Sequence, residues 1–293
     1  MKKALAIDVG GTKIYNTLVD EAGQIAGEIE KHSTPKEYSE IIDLFKSIIS
    51  KYEDEVDVIA FATCGAVNNS NDGILGSTGN IAKDYPKTNF KSLSTKPVFV
   101  ENDANCAAWA EHIIGASKGY PYSIMLTLGT GVGGGIILDN KLYKGKSGAA
   151  GEMHFKIARN AKRRCTCGSK DCFEAYASGT GLRLTAVEIS GNLDITTYDV
   201  IAGLEIGNEL MMRIFNTWQN DIINGIIGLA DIFDPDVVVL SGSMAEFVNT
   251  EYITDAVNKE IVTQPTKVVK ASAGNYSGMI GAGLLALKVG VNG

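Results

Sequence analysis

The stretch richest in chemistry is Ala4-Leu-Ala-Ile-Asp-Val-Gly-Gly-Thr-Lys13. An apolar strand runs into Asp8, Gly10, Gly11, Thr12 and Lys13, and a second strand follows over residues 14–19. Glycines let the backbone turn sharply and bring its N–H groups close to a bulky anion. Asp8 can hold a hydrated metal ion, and Thr12 and Lys13 can reach phosphate oxygens. The device recurs at Leu126-Thr-Leu-Gly-Thr-Gly-Val-Gly-Gly-Gly135, with strands over 122–127 and 135–138 on either side. A single glycine hairpin is most simply a tight turn. Two of them, the first preceded by an Asp on a buried strand, point to two halves facing one nucleotide. Asp103 lies where a strand gives way to a helix; an isolated Asp there caps the helix as readily as it accepts a proton. Cys165, Cys167 and Cys172 are closely spaced thiols, a pattern that favours a metal over a disulfide in a reducing compartment.

The elements that must position these residues follow from patterning. Thr34-Pro-Lys-Glu37 has capping-box spacing with Pro at the first helical position. Ile41, Ile42, Phe45, Ile48, Ile49 and Tyr52 then recur at helical spacing. Strand signals return at 56–62 and 98–100, and between them 68–91 is rich in Gly, Asn and Asp and predicts an excursion with little regular structure. Residues 102–114 predict a helix opening directly after a strand, the junction at which open α/β sheets place their ligand chemistry. Residues 115–120 predict a crossover between domains. Helices are expected at 181–189, 201–230 and 280–289, and a strand at 237–240.

The chain has 293 residues, a length that suggests two domains; 45% are hydrophobic and 21% charged. Its net charge of −7 comes without a Lys/Arg block, which argues against nucleic acid or an anionic membrane as partner. The short run Lys162-Arg-Arg164 reads as a solvated loop. No apolar run of membrane-spanning length and no signal peptide is evident, so a soluble cytoplasmic protein is expected.

Taken together, the motifs resemble those of a known family. The two hairpins resemble the phosphate motifs of the actin, hexokinase and Hsp70 superfold. Glu101-Asn-Asp-Ala-Asn-Cys-Ala-Ala-Trp-Ala-Glu111 resembles the sugar-kinase signature of the ROK family (repressors, open reading frames, kinases). Gly148-Ala-Ala-Gly-Glu152 resembles its sugar-binding loop, and Cys165-Thr-Cys-Gly-Ser-Lys-Asp-Cys-Phe-Glu174 its zinc loop. The similarity runs in order along nearly the whole chain.

That resemblance implies an α/β fold of the two-domain actin-like ATPase (ribonuclease H-like) class with the active site in a cleft. The expected domains are 1–115 and 116–277, with a C-terminal helix over 278–293 packing back on the first. It implies ATP and Mg²⁺ as cofactors and a structural zinc. Asp103 becomes the base for a sugar hydroxyl, beside Asn102. Gly129, Thr130 and Gly131 cradle phosphates, and Gly242, in Leu240-Ser-Gly-Ser243, matches the adenosine motif. Glu152 and Glu174 match the sugar-binding glutamates, and Gly65 and Asn80 less distinctive sugar positions.

One departure stands out. The family has a His three residues after the sugar-loop Glu, which touches both the zinc and the anomeric end of the sugar. Here that position is Phe155, and the neighbouring His154 is the expected fourth zinc ligand. Phe155 could face the sugar, which would favour a β-glucoside, or turn into the core, which would leave a free hexose. The implied activity is phosphorylation of the 6-hydroxyl of a hexose or β-glucoside, with N-acetylmannosamine or fructose as alternatives, by a homodimer. A sugar-sensing regulator without catalysis is the rival from another class. The intact Asp103 and both hairpins speak against it. So does the expectation that only Met1-Lys-Lys3 precedes the first hairpin, where family repressors carry a helix-turn-helix domain.

Overall fold

A computed structural model of the protein describes residues 1–76, 81–157 and 163–289. Its contacts divide the chain into two units. The first comprises residues 1–119, 135–152 and 272–293, and the second residues 120–134 and 153–271.

In the first unit, β1 (Lys3–Val9) is a nearly continuous apolar run, and residues 4–7 are fully buried. Such a run suits a strand covered on both faces. It turns back into β2 (Lys13–Asp20), with Val9 opposite Ile14, and the Gly10 N–H donates to the Lys13 carbonyl at 3.0 Å. The first glycine motif is therefore a β-hairpin tip. β3 (Glu30–Ser33) pairs with β2 and leads to α1 (Tyr38–Tyr52), whose Ile41, Phe45, Ile48 and Ile49 are buried. The expected capping box does not form. Glu37 is the N-cap and makes no side-chain capping bond. Pairing of Ser33 with Lys13 carries Thr34 to the hairpin tip instead, where its hydroxyl donates to the Gly10 carbonyl at 2.7 Å and its N–H to the Thr12 carbonyl at 3.1 Å.

β4 (Val58–Thr63) runs parallel to β1, and the small hairpin β5 (Ala66–Val67) and β6 (Ile74–Gly76) follows it. β7 (Val98–Asn102) lies parallel to β4 and feeds α2 (Asp103–Ile113), giving the sheet order β3-β2-β1-β4-β7. The polar excursion after β4 is better anchored than its composition suggests. Tyr85 and Phe90 are fully buried, and each meets Phe61 or Phe45 edge to face.

The chain enters the second unit after Gly119 with β8 (Ser123–Leu128) and the second glycine turn; β9 (Val132–Leu138) starts there and, from Gly135 on, belongs with its partner β10 (Lys141–Leu142) to the first unit. After the cysteine loop come α3 (Glu174–Ala177), α4 (Gly179–Ser190), α5 (Thr197–Glu205) and α6 (Glu209–Phe233). The single helix expected over 201–230 is broken because Gly207 takes a left-handed φ of +69° and Asn208 caps a new helix start. β11 (Val237–Ser241) lies parallel to β8 and to β12 (Lys267–Lys270), with α7 (Thr250–Asn258) between the two in sequence. The sheet order is β10-β9-β8-β11-β12, so both sheets repeat the pattern in which the first strand of the half is third in order. The last helix, α8 (Ser277–Val289), belongs to the first unit, where Ile280, Leu284 and Leu285 share a core with Ala4, Val58 and Trp109.

Among the described residues no helix is long and apolar enough to cross a membrane. Arg163 is a correction to the solvated-loop reading: it is buried, with its guanidinium forked onto Glu188 at 2.8 and 2.6 Å and stacked over the Tyr176 ring. Its donors also reach the Ala175 carbonyl and the Thr185 hydroxyl, both on or beside helices it would otherwise only flank.

Candidate active site and metal cluster

In the first unit, three neighbouring parallel strands end together. Ala62 is the register partner of Asp8 on one side and of Glu101 on the other, and Thr63 stands between Val9 and Asn102. The strand order alone therefore gathers Asp8, Gly65, Asn102 and Asp103 at one sheet edge. Asn102 is the N-cap of α2: its Oδ1 accepts from the Ala104 and Asn105 N–H groups at 3.0 Å each, and its Nδ2 donates to the Gly65 carbonyl at 3.1 Å. Capping thus falls to Asn102, and Asp103 occupies the first helical position with its Oδ1 accepting the Ala104 N–H at 2.8 Å.

Burial raises the Asp103 carboxyl to about 6, with the charge of Glu152 adding to the rise against the bond from Ala104. Burial, reinforced by the Asp103 charge, raises Asp8 to about 7. Two carboxylates that both resist ionisation at one strand edge are characteristic of a site awaiting a cation or a proton. α8 begins beside them. A Cβ at Gly278 would lie 3.3 Å from Asp8 Oδ2, so this glycine keeps the helix start close to the carboxylate. No sequence motif marked Gly278. Gly10 and Gly11 lie partly exposed at the hairpin tip, with Thr12 and Lys13 exposed beside them, and Glu152 is exposed on its loop. Asn80 lies outside the described residues.

In the second unit, Gly129, Thr130 and Gly131 form the turn between β8 and β9, and the Gly129 N–H donates to the Gly131 carbonyl at 3.0 Å. α4 starts against this turn: the Gly179 N–H donates to the Gly129 carbonyl, and the Thr180 hydroxyl to the Thr130 carbonyl, both at 2.8 Å. A cavity of about 690 Å³ opens beside it, lined by Gly129, Thr130, Thr180, Arg183, Tyr198 and Phe247 among others. Gly242, with φ +86°, turns the chain at the end of β11, and a Cβ there would come within 2.5 Å of the Leu128 carbonyl oxygen. Ser243 lines the same cavity.

The cysteine loop folds into a compact knot. One ligand atom each from His154, Cys165, Cys167 and Cys172 lies within 4.8 Å of every other. His154 Nδ1 is 3.6 Å from Cys165 Sγ, and the Cys167 and Cys172 sulfurs are also 3.6 Å apart. Tetrahedral zinc at about 2.3 Å from each sulfur would space them roughly 3.8 Å apart, so the donor set fits zinc. The Ser169 N–H and the neighbouring Cys165 thiol hold Cys167 down to about 6, whereas burial raises Cys165 and Cys172.

His154 reaches this knot because Met153 takes a left-handed φ of +51°. Phe155 points elsewhere: its ring stacks on Phe173 at 4.8 Å with planes 15° apart. Phe173 is fully buried, and Gly225 on α6 makes room for its ring.

Glu174 opens α3. Its Oε2 accepts the Val132 N–H at 3.1 Å, and its Oε1 accepts from the Thr166 hydroxyl and, at 3.3 Å, the Cys165 thiol. Burial pushes this carboxyl up, but the bonds from Thr166 and Val132 outweigh it and hold it below the usual range. Its carboxylate therefore links the cysteine knot to the glycine turn of β8 and β9, a contact that spacing in the sequence does not reveal.

Comparison with known proteins agrees with these features. The model of the ROK family matches residues 4–289. A glucokinase of Streptomyces coelicolor is 31% identical over 98% of both chains. An N-acetylmannosamine kinase of Yersinia pseudotuberculosis is 30% identical over 98% of this chain and 99% of its own. The structure of a ROK family glucokinase from Streptomyces griseus, in complex with glucose and AMPPNP, superposes with a TM-score of 0.77 at 29% identity, covering 98% of this chain and 99% of the other.

Proposed function

The chain belongs to the ROK family, and on that premise we propose that this sugar kinase transfers the γ-phosphoryl group of ATP to the 6-hydroxyl of a free hexose. The observation that carries the reading is the pair Asp8 and Asp103, raised to about 7 and about 6 at one edge of three parallel strands. In the proposal, Asp103 accepts the proton of the sugar hydroxyl as it attacks; a base titrating near the working pH suits this task. Asn102 holds the base in place through its cap, and Glu152 and Glu174 receive sugar hydroxyls. Gly10, Gly11, Thr12 and Lys13 of the first hairpin, and Gly129, Thr130 and Gly131 of the second, are assigned to phosphate binding. The cavity beside Thr130, in the range typical of small-ligand sites, takes the nucleoside.

Asp8 suits a hydrated Mg²⁺, because a divalent cation would remove the penalty on its charge. When bound with ATP, that ion neutralises phosphate charge. The cysteine knot with His154 would hold zinc in a structural role.

Phe155 stacks on Phe173, so the reading gives it a packing role. With the ring packed there, the reading favours a free hexose over a β-glucoside. Glucose and N-acetylmannosamine are the first candidates, since relatives of about equal identity bear those activities in their names. The test is ADP release coupled to a spectrophotometric readout across glucose, N-acetylmannosamine, fructose, mannose and β-glucosides. Sugar-dependent turnover with 6-phosphate product supports the reading. ADP release that no sugar stimulates, by protein that binds ATP and Mg²⁺, would overturn it.

A further inference from the structure

Glu101 precedes the Asn102-Asp103 pair and is 1% exposed. Its carboxylate is fully engaged. Oε1 accepts from the Asn102 N–H at 2.8 Å and Asn105 Nδ2 at 3.1 Å. Oε2 accepts from Asn71 Nδ2 at 2.8 Å and pairs with Lys144 Nζ at 2.8 Å. The Lys144 side chain is only 16% exposed, whereas Lys141 and Lys146 on the same segment are exposed. Its ammonium also donates to the Asn68 carbonyl at 3.0 Å.

The backbone of Lys144 does a second job. Its carbonyl accepts from the Gly148 and Ala150 N–H groups at 3.1 and 3.2 Å, which winds the segment leading to Glu152 into a closed loop. Gly148, at φ +102°, presses that loop so closely on β5 that a Cβ would fall 2.0 Å from the Val67 carbonyl oxygen. Asn69 Nδ2 donates to the Gly145 and Lys146 carbonyls from the same side. One residue thus organises the loop that ends in Glu152 through its main chain. Through its side chain it is locked to the strand end that carries Asp103.

We propose that Lys144 and Glu101 are a buried positioning pair that sets the distance and angle between the Asp103 carboxylate and the sugar loop ending in Glu152. The proposal rests on the sugar-kinase reading and names residues that act through others. Neither is assigned to touch substrate. A charged pair suits the task because its geometry is short and directional and its partners sit on a strand end, the first turn of a helix and tight turns. Loosening it leaves both site segments present but out of register with each other. Misplacement by about an ångström lowers rates by on the order of a hundredfold.

The experiment compares Lys144→Met, Lys144→Arg and the double variant Glu101→Gln/Lys144→Met with the wild type. The readouts are kcat, KM for the best sugar, KM for ATP, and the melting temperature with and without sugar. Lys144→Met is expected to raise the sugar KM and lower kcat, together by on the order of tenfold to a hundredfold in kcat/KM, with the ATP KM within about twofold. Lys144→Arg keeps charge and reach and should retain most of the activity. The double variant removes the unpaired buried carboxylate. Its melting temperature should recover while its sugar KM stays high, and it remains informative if Lys144→Met alone fails to fold.

Two results would overturn the pair's role. One is a double variant that recovers both melting temperature and sugar KM. The other is a Lys144→Met that weakens ATP and sugar alike. Failure of the kinase reading looks different: the wild type itself would turn over no sugar, and the sugar-induced thermal shift would still report whether the pair shapes the sugar site.

Discussion

Replacing Asp103 with Asn should abolish most turnover and stabilise the protein at the same time. The substitution keeps an oxygen for the Ala104 N–H and leaves the Asn102 cap intact, so local structure has no reason to change. What it removes is a proton acceptor and a buried charge. Loss of a general base lowers rate by roughly 10²–10⁴-fold. The charge has its own magnitude. Folding raises this carboxyl from 3.8 to about 6, a displacement that corresponds to roughly 3 kcal/mol well above that pH.

The sign follows directly. A carboxyl whose folded-state value lies above its unfolded one disfavours folding wherever it is ionised. That penalty is absent below 3.8, grows as pH rises, and is complete above about 6. Asparagine carries no such penalty, and its neutral neighbour also relieves Asp8, whose rise depends in part on the Asp103 charge. Allowing for partial exposure and for the imperfect match of an amide, a gain of about 1–3 kcal/mol, or about 2–5 °C in Tm, is expected for the ligand-free protein at pH 8. Scanning calorimetry of both proteins from pH 5 to 8 should show the difference shrink as pH falls. Wild-type kcat/KM should fall away as pH drops through about 6, and the residual activity of the variant should lack that limb. Near-normal turnover, or a Tm lower at pH 8 than that of the wild type, would refute the reasoning.

Three further outcomes are expected. Chelator-washed protein should retain about one zinc per chain, as a four-ligand site would, and Cys172→Ser should lose it; absence of zinc with all three loop thiols alkylated in the native fold would count against the cluster. Arg163→Met should lower stability by about 3 kcal/mol, because it leaves the Ala175 carbonyl without its buried side-chain donor and Glu188 without its partner, and urea unfolding against Arg163→Lys measures how much the fork contributes. Phe155→His should lose about 0.5–1.5 kcal/mol of stacking on Phe173 without changing the ratio of kcat/KM for glucose over β-glucosides; a marked shift in that ratio would show that the ring does face the sugar.

The parts of the site legible in the sequence were those encoded locally. Both glycine turns were readable because an apolar run, a turn and a second run are contiguous in the chain. The strand-to-helix junction at Asn102 and Asp103 was readable for the same reason. Residues set by long-range pairing were not. Thr34 reads as a helix cap until β2 and β3 pair and carry it to Gly10. Tyr85 and Phe90 sit in a stretch whose Gly, Asn and Asp content signals a loose excursion, yet they fill the core beside Phe61. Arg163 reads as a surface charge until Glu188, near the end of α4, comes back against it. Counting residues from Glu152 left Phe155 open between the sugar and the core, and what decides its packing is the ring of Phe173, eighteen residues on.

The way the fold treats its buried acids separates scaffold from chemistry. Glu101 takes three hydrogen bonds and an ammonium, and Glu111 accepts from the Ala116, Ser272 and Ala273 N–H groups at 2.7 to 3.1 Å. Glu174, which the proposal gives to binding the sugar and not to moving a proton, is likewise held by Thr166, Val132 and Cys165. A carboxylate so supplied is fixed in place by its own neighbours. Asp8 and Asp103 receive too little to offset burial, and their carboxyls rise. The shortage is not a lack of donors at that edge, since Asn102 and Asn105 spend theirs on the Gly65 carbonyl and on Glu101. Donors at the end of β7 are thus directed to the backbone and to Glu101, and the two aspartates are left for partners that arrive from solution. A cation at Asp8 should therefore also lower the Asp103 carboxyl, because its charge replaces the repulsion between them. Titrating wild-type protein with Mg²⁺ and ATP should move the acid limb of kcat below that of kcat/KM, and an unmoved limb would mean that the two carboxylates do not share one field.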